Sequence, residues 1–203
     1  MNAFRRTHFA LRAAVLGILA LASFSCADPV APTPRTAAPS ALLGLPLGGG
    51  DGLITVVDTT VNVLQRGIPL LADISSSATI GPDGGTITIP AAGVRVDVPK
   101  NAVMVPTTIT VTAIAGTNVA YEFEPAGTVF NKRLIVSQDL SLTTILPTIT
   151  GTSFTGAYFR SRDELTSTGS ALVHELEPTT VDLTSLMVRF TVGHFSGYIV
   201  AVD

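Results

Sequence analysis

The chain of 203 residues predicts an all-β fold: an antiparallel β-sandwich preceded by a signal peptide and a Pro/Gly-rich linker. Three observations lead there. Charged residues make up only 13% against 46% hydrophobic ones, and the sequence is rich in Thr, Val, Ile and Gly. β-Branched side chains fit a pleated surface and lose rotamer freedom in a helix, so this mixture favours strands. From Ser75 onward apolar and polar residues alternate in short runs separated by turn signals, the pattern of strands with one buried face. No long crossover helix separates any two runs, which argues against a parallel sheet.

The first element, residues 1–25, reads as an export signal. Arg5, Arg6 and Arg12 form a positive head, and the apolar run Ala13–Ala22 is too short for a permanent membrane span. Two processing readings stand side by side. Ser23-Phe24-Ser25-Cys26 resembles a lipobox, in which Cys26 becomes the lipid-modified first residue, although Ser23 stands where Leu is usual. Alternatively, Ser25-Cys26-Ala27 is a small-x-small site for ordinary signal peptidase, and the mature chain starts at Asp28. Cys26 is the lone cysteine, so no internal disulfide can form.

Residues 26–74 are expected as a tether and an apolar linker segment. Pro29, Pro32, Pro34 and Pro39 keep the chain extended, and Gly48-Gly49-Gly50 keeps it loose. Leu53, Val57, Leu64, Ile68 and Leu71 then fall at helical spacing, whereas the β-branched content and Pro69 oppose a helix. The expectation here is a short amphipathic helix or a partly ordered linker.

The sandwich itself is expected over residues 75–203. Thr79-Ile80 runs into Gly81-Pro82-Asp83-Gly84-Gly85, whose Asp-Gly pair suits a tight hairpin turn. Ile87 and Ile89, then Val94, Val96 and Val98, then Ile109, Val111 and Ala113, then Tyr121 and Phe123 should face the core. Runs at 134–136, 154–159, 172–176, 188–192 and 197–202 bring the expected total to roughly nine or ten strands.

Gly84-Gly85-Thr86, Gly93-Val94-Arg95-Val96-Asp97-Val98-Pro99 and Ala102-Val103 together resemble the ZU-five domain, a β-sandwich of zonula occludens, netrin-receptor and ankyrin proteins. Phe123-Glu124-Pro125-Ala126-Gly127-Thr128-Val129-Phe130 and Leu134-Ile135-Val136 look like its second block, so the likeness covers about residues 75–200. Lys100-Asn101 departs from the family's Pro-Gly, and Asn tolerates the left-handed conformation such a turn needs. The resemblance implies a sandwich with a binding or scaffolding style, without the signalling domains that accompany it elsewhere.

The residues that could carry chemistry are few. Without the three leader arginines, nine basic residues face 15 acidic ones, a net charge near −6 that repels phosphate backbones and excludes nucleic acid as a partner. His174 beside Glu175 superficially suggests metal ligands, but alternation puts them on opposite faces of a strand, and zinc needs three or four converging ligands, so an exposed polar face is expected there. Asp83, Asp97, Asp163 and Glu164 lack the spaced ladder of a calcium loop. Glu122 with Glu124, and Glu175 with Glu177, read as solvent-facing rather than as a glycosidase pair. No Trp and only three Tyr leave a carbohydrate module without stacking aromatics.

His194-Phe195-Ser196 is the one constellation with a chemical reading. In some relatives of this fold such a triplet cuts itself: the Ser196 hydroxyl would attack the Phe195 carbonyl with His194 moving the proton. The structural alternative has Phe195 filling the core and its neighbours hydrogen-bonding at a strand end. The sequence therefore predicts an exported module of the cell envelope, anchored to the membrane through lipid on Cys26. It would bind a protein or envelope partner, or support the envelope, without enzymatic activity, metal or cofactor. The alternatives are a periplasmic or secreted soluble protein, and an autoproteolytic domain that cuts between Phe195 and Ser196.

Overall fold

In the computed structural model, residues 54–145 and 151–203 are described. The signal peptide, Cys26 and the Pro-rich tether lie outside them. Among the described residues fourteen strands form, with only single 3-10 turns between some of them. They are β1 (Thr55–Val63), β2 (Gln65–Leu70), β3 (Ile74–Ile80), β4 (Gly85–Ile89), β5 (Val94–Val98), β6 (Thr107–Ala113) and β7 (Gly116–Asn118). Then come β8 (Ala120–Glu124), β9 (Val129–Asp139), β10 (Phe154–Phe159), β11 (Ser170–Glu177), β12 (Thr179–Asp182), β13 (Met187–His194) and β14 (Gly197–Val202).

One sheet has seven strands in the order β1-β11-β10-β14-β8-β6-β3, and the other has five in the order β12-β13-β9-β5-β4. β2 and β7 pair separately. All pairings are antiparallel, and the two sheets enclose a common core, so the fold is an all-β, sandwich-like one. Ile109, Val111, Tyr121, Phe123, Tyr198 and Val200 reach that core from the larger sheet. Ile87, Val96, Leu134, Val136, Val188 and Phe190 reach it from the smaller. Each expected alternation from β4 to β8 buries the residues named for it.

The larger sheet curls. β1 pairs with β11 along most of its length and with β14 at Asn62 and Val63, which closes β1, β11, β10 and β14 on themselves. A second apolar cluster fills that curl, with Phe159, Val173, Ile199 and Ala201 among its members. β14 therefore has apolar surroundings on both faces, Tyr198 and Val200 toward one cluster and Ile199 and Ala201 toward the other. A strand covered on both faces reads as a continuous apolar run, as Tyr198-Ile199-Val200-Ala201 does. Gly197 lets β14 pass close to Phe159, since a Cβ there would sit 2.4 Å from that ring.

Two expectations are corrected. The stretch 53–71 is neither helix nor linker where it is described: it supplies β1 and β2, and the sandwich begins at Thr55 rather than Ser75. The Asp83-Gly84 turn has the positive φ expected of it, 78° at Gly84, yet it makes no hairpin. β3 pairs with β6 and β4 with β5, so the turn carries the chain from one sheet to the other. Asn101 does take the left-handed conformation, with φ of 63°.

Candidate functional site

His194 ends β13 and Gly197 begins β14, so Phe195 and Ser196 form the corner between the two sheets. The Phe195 ring is 2% exposed. It stacks on Phe123 with centroids 5.4 Å apart and meets Phe130 edge-on at 4.5 Å. The corner's backbone is tied to its neighbours. Phe195 N–H donates to Thr128 O, Gly127 N–H to Phe195 O and Phe123 N–H to Ser196 O. His194 Nε2 lies 3.2 Å from Glu175 Oε2, and its Nδ1 lies 3.4 Å from the Tyr198 hydroxyl, which donates to His194 O at 2.8 Å. The Ser196 hydroxyl thus meets neither ring nitrogen. The structure sets the three residues side by side and pairs the histidine elsewhere.

His174 is buried rather than on an exposed polar face, which corrects the expectation for it. The reason is a bulge: β1 slips register against β11 between Val56 and Thr59. An extra residue in one strand re-aims its neighbours. Here it delivers Asp58 to His174 Nδ1 at 2.6 Å. On the other side Glu164, from the 3-10 turn Arg162–Glu164, accepts from Nε2 at 2.8 Å. The hydrogen bond to Glu164 and then that to Asp58 raise the imidazole's pKa above its ordinary 6.5, against the opposing effect of burial. Its proton therefore stabilises the fold below about 6.5, and that contribution is lost as the pH climbs past the raised value. The urea midpoint should fall between pH 6 and pH 8.5, and His174→Gln should flatten that fall. An unchanged slope in the variant would assign it to another group.

Glu175 and Glu177 are likewise not a solvent-facing pair. Glu177 is fully buried at its side chain and ion-pairs with Arg133 of β9, whose Nε also donates to Thr191 Oγ1 at 2.8 Å. Burial outweighs the guanidinium and pushes the Glu177 carboxyl up to about 7. Its Oε1 has no hydrogen-bond partner. Tyr158 lies between the two histidines, 5.0 Å from the His194 ring and 6.1 Å from that of His174. Glu122 of the other pair is held by Arg162, which also bridges to Asp73 at 2.8 Å. Asp97 accepts from Arg95 and Thr86. Among the described residues no three His, Cys, Asp or Glu converge in a way that could hold a metal ion.

Arg66 escaped the sequence reading. It lies on β2, is 3% exposed, and is surrounded by backbone carbonyls. Nη1 donates to Ile114 O at 3.0 Å, to Gly116 O at 3.3 Å and to Asn118 O, while Nη2 donates to Ala120 O at 3.4 Å. Its guanidinium carbon is 5.8 Å from the centroid of the buried Tyr121 ring. The Nε–H has no acceptor, and burial lowers the group's pKa. Arg66 lines a cavity of about 360 Å³ whose other walls are mainly Ile68, Leu70, Ala91, Ala92 and Leu142, with Ser141 and Thr143. Behind that wall the Tyr121 hydroxyl donates to Gln138 Oε1, and Gln138 Nε2 donates to Asp139 O at 2.8 Å. The trace of this site in the sequence is a single charge inside the apolar run 61–71.

Neither the protein-family models nor the curated proteins compared with the chain give a match.

Proposed function

We propose that the chain is a non-enzymatic binding module of the cell envelope, exported by residues 1–25 and held at the membrane by lipid on Cys26. The observation that carries the binding half is the contrast between its polar sites. Among the described residues, the ring nitrogens of His174 and His194 face carboxylates and a tyrosine rather than a serine hydroxyl. The Arg66 cavity, in contrast, presents open apolar walls next to a buried cation. The resemblance of about residues 75–200 to the ZU-five domain supports the same reading, since it implies a binding or scaffolding style. The leader and tether support anchoring: multiple acyl chains hold a domain firmly, and an extended segment sets it away from the surface.

Denaturing mass analysis of the protein isolated from whole cells tests the anchor and the self-cleaving alternative in one spectrum. The expected species starts at an acylated Cys26 and ends at Asp203. A chain beginning at Asp28 removes the anchor. A mass short by the octapeptide Ser196–Asp203, restored by Ser196→Ala, replaces the binding module with a self-cleaving domain.

A further inference from the structure

Burying an ionised side chain is costly unless an opposite charge or a full set of hydrogen bonds compensates for it. Arg66 has four carbonyl acceptors and the face of Tyr121, but no carboxylate beside it among the described residues, and one of its N–H groups has no acceptor. Carbonyl dipoles soften a positive charge without cancelling it. Such a site favours an anion nearby, and Arg66 is the one charged residue lining the cavity.

The cavity limits what that anion can be. Its volume of about 360 Å³ lies at the small end of ligand sites, which run from roughly 300 to 1,000 Å³. Ile68, Leu70 and Leu142 give it aliphatic walls, and none of its lining residues is acidic. Ile68 and Leu142 are also exposed at the surface, so apolar area continues outward from the cavity. Small inorganic anions would gain nothing from these walls, and a neutral hydrocarbon would gain nothing from Arg66. Ala91, Ala92 and Gly67 keep side-chain bulk out of the space, which leaves room for an alkyl chain along the aliphatic walls.

We propose that the Arg66 cavity binds a monoanionic amphiphile, a straight alkyl chain ending in a carboxylate, with the head toward Arg66 and the tail along Ile68, Leu70 and Leu142. This rests on the binding-module reading and names the ligand class for it. Charge-assisted hydrogen bonds are worth about 1.5–3 kcal/mol, so the head should contribute a factor of ten or more.

The test is calorimetric titration of the full chain carrying Cys26→Ser, which needs no detergent to compete for the site. Sodium decanoate should bind with one site per chain, at least about tenfold tighter than decanol or decyltrimethylammonium. Ala91→Trp, at an exposed position on the cavity wall, should abolish binding and leave the melting temperature unchanged. Arg66→Lys should lower the preference for decanoate over decanol, and because both ligands are measured on the same variant, partial loss of stability does not blur the ratio. Equal binding of decanoate and decanol overturns the role of Arg66. Absence of binding, or binding untouched by Ala91→Trp, overturns the site, while the mass spectrum independently decides between the intact module and the self-cleaving domain.

Discussion

Phe195→Ala should destabilise the domain by about 3–5 kcal/mol, as the loss of a buried aromatic ring does when the surroundings cannot collapse into the space. The ring sits where the chain passes from the five-stranded sheet to the seven-stranded one, so its partners come from separate elements. Phe123 is on β8, Phe130 on β9, and Phe123 in turn meets Tyr198 of β14 edge-on at 5.7 Å. Each of these strands is fixed by its own ladder, and Gly127 and Thr128 hydrogen-bond to the Phe195 backbone as well. The void would therefore stay open. Urea denaturation reads the loss as a lower midpoint at unchanged slope. A change near zero would mean that the corner relaxes freely, and the packing explanation for His194-Phe195-Ser196 would fall. Ser196→Ala, which removes no buried ring, should leave stability nearly unchanged, and this separates the structural role of Phe195 from any chemistry at its neighbour.

What the sequence revealed of the fold follows from how local the signal is. Ile87 and Ile89, or Val94, Val96 and Val98, could be placed inward because side chains alternate across a strand whatever that strand pairs with. Pairing partners are another matter. The Asp83-Gly84 turn specifies a local reversal of direction, and nothing in those residues says whether the next strand returns to β3 or crosses to the other sheet. β1 and β2 were hidden for a different reason. Val63 and Leu64 are buried in succession, because one faces the second cluster and the other the main core, while Ile68 and Leu71 are exposed. Those positions, together with the bulge at Val57 and Asp58, broke the two-residue period and left an accidental helical spacing.

The candidate sites were legible to the same extent. The burial of Phe195 could be read from its bulk and apolar character beside two apolar strands, even though it sits in the corner between them. His174 could not, since its burial depends on Asp58, 116 residues away, arriving through a bulge. The Arg66 cavity needed still more, because carbonyls from 114 to 120 and the turn at 140–142 converge on it only once three separate sheets are assembled.

The burial of Glu177 leads to the second large effect, at Arg133. Removing one partner of a buried ion pair typically costs about 3–5 kcal/mol, because the other charge is left without compensation. Arg133→Met keeps most of the aliphatic stem and should show that cost at pH 8, above the value of about 7 at which Glu177 titrates beside Arg133. Glu177 already has its carboxyl raised to about 7 by burial, with Glu175 adding repulsion and Arg133 opposing both. Without Arg133 it should hold its proton to still higher pH. A group whose folded pKa exceeds its ordinary value of 4.5 stabilises the fold when protonated, and that contribution disappears as the pH rises through the folded value. The loss in Arg133→Met should accordingly be much smaller at pH 5 than at pH 8. Adding Glu177→Gln removes the buried charge and should recover most of the alkaline loss. What remains at both pH values is the pair of hydrogen bonds from Arg133 to Thr191, its hydroxyl at 2.8 Å and its carbonyl at 2.9 Å. Equal losses at pH 5 and pH 8, unrelieved by Glu177→Gln, would show that Arg133 acts through those bonds and through packing, and that the charge on Glu177 is not what it compensates.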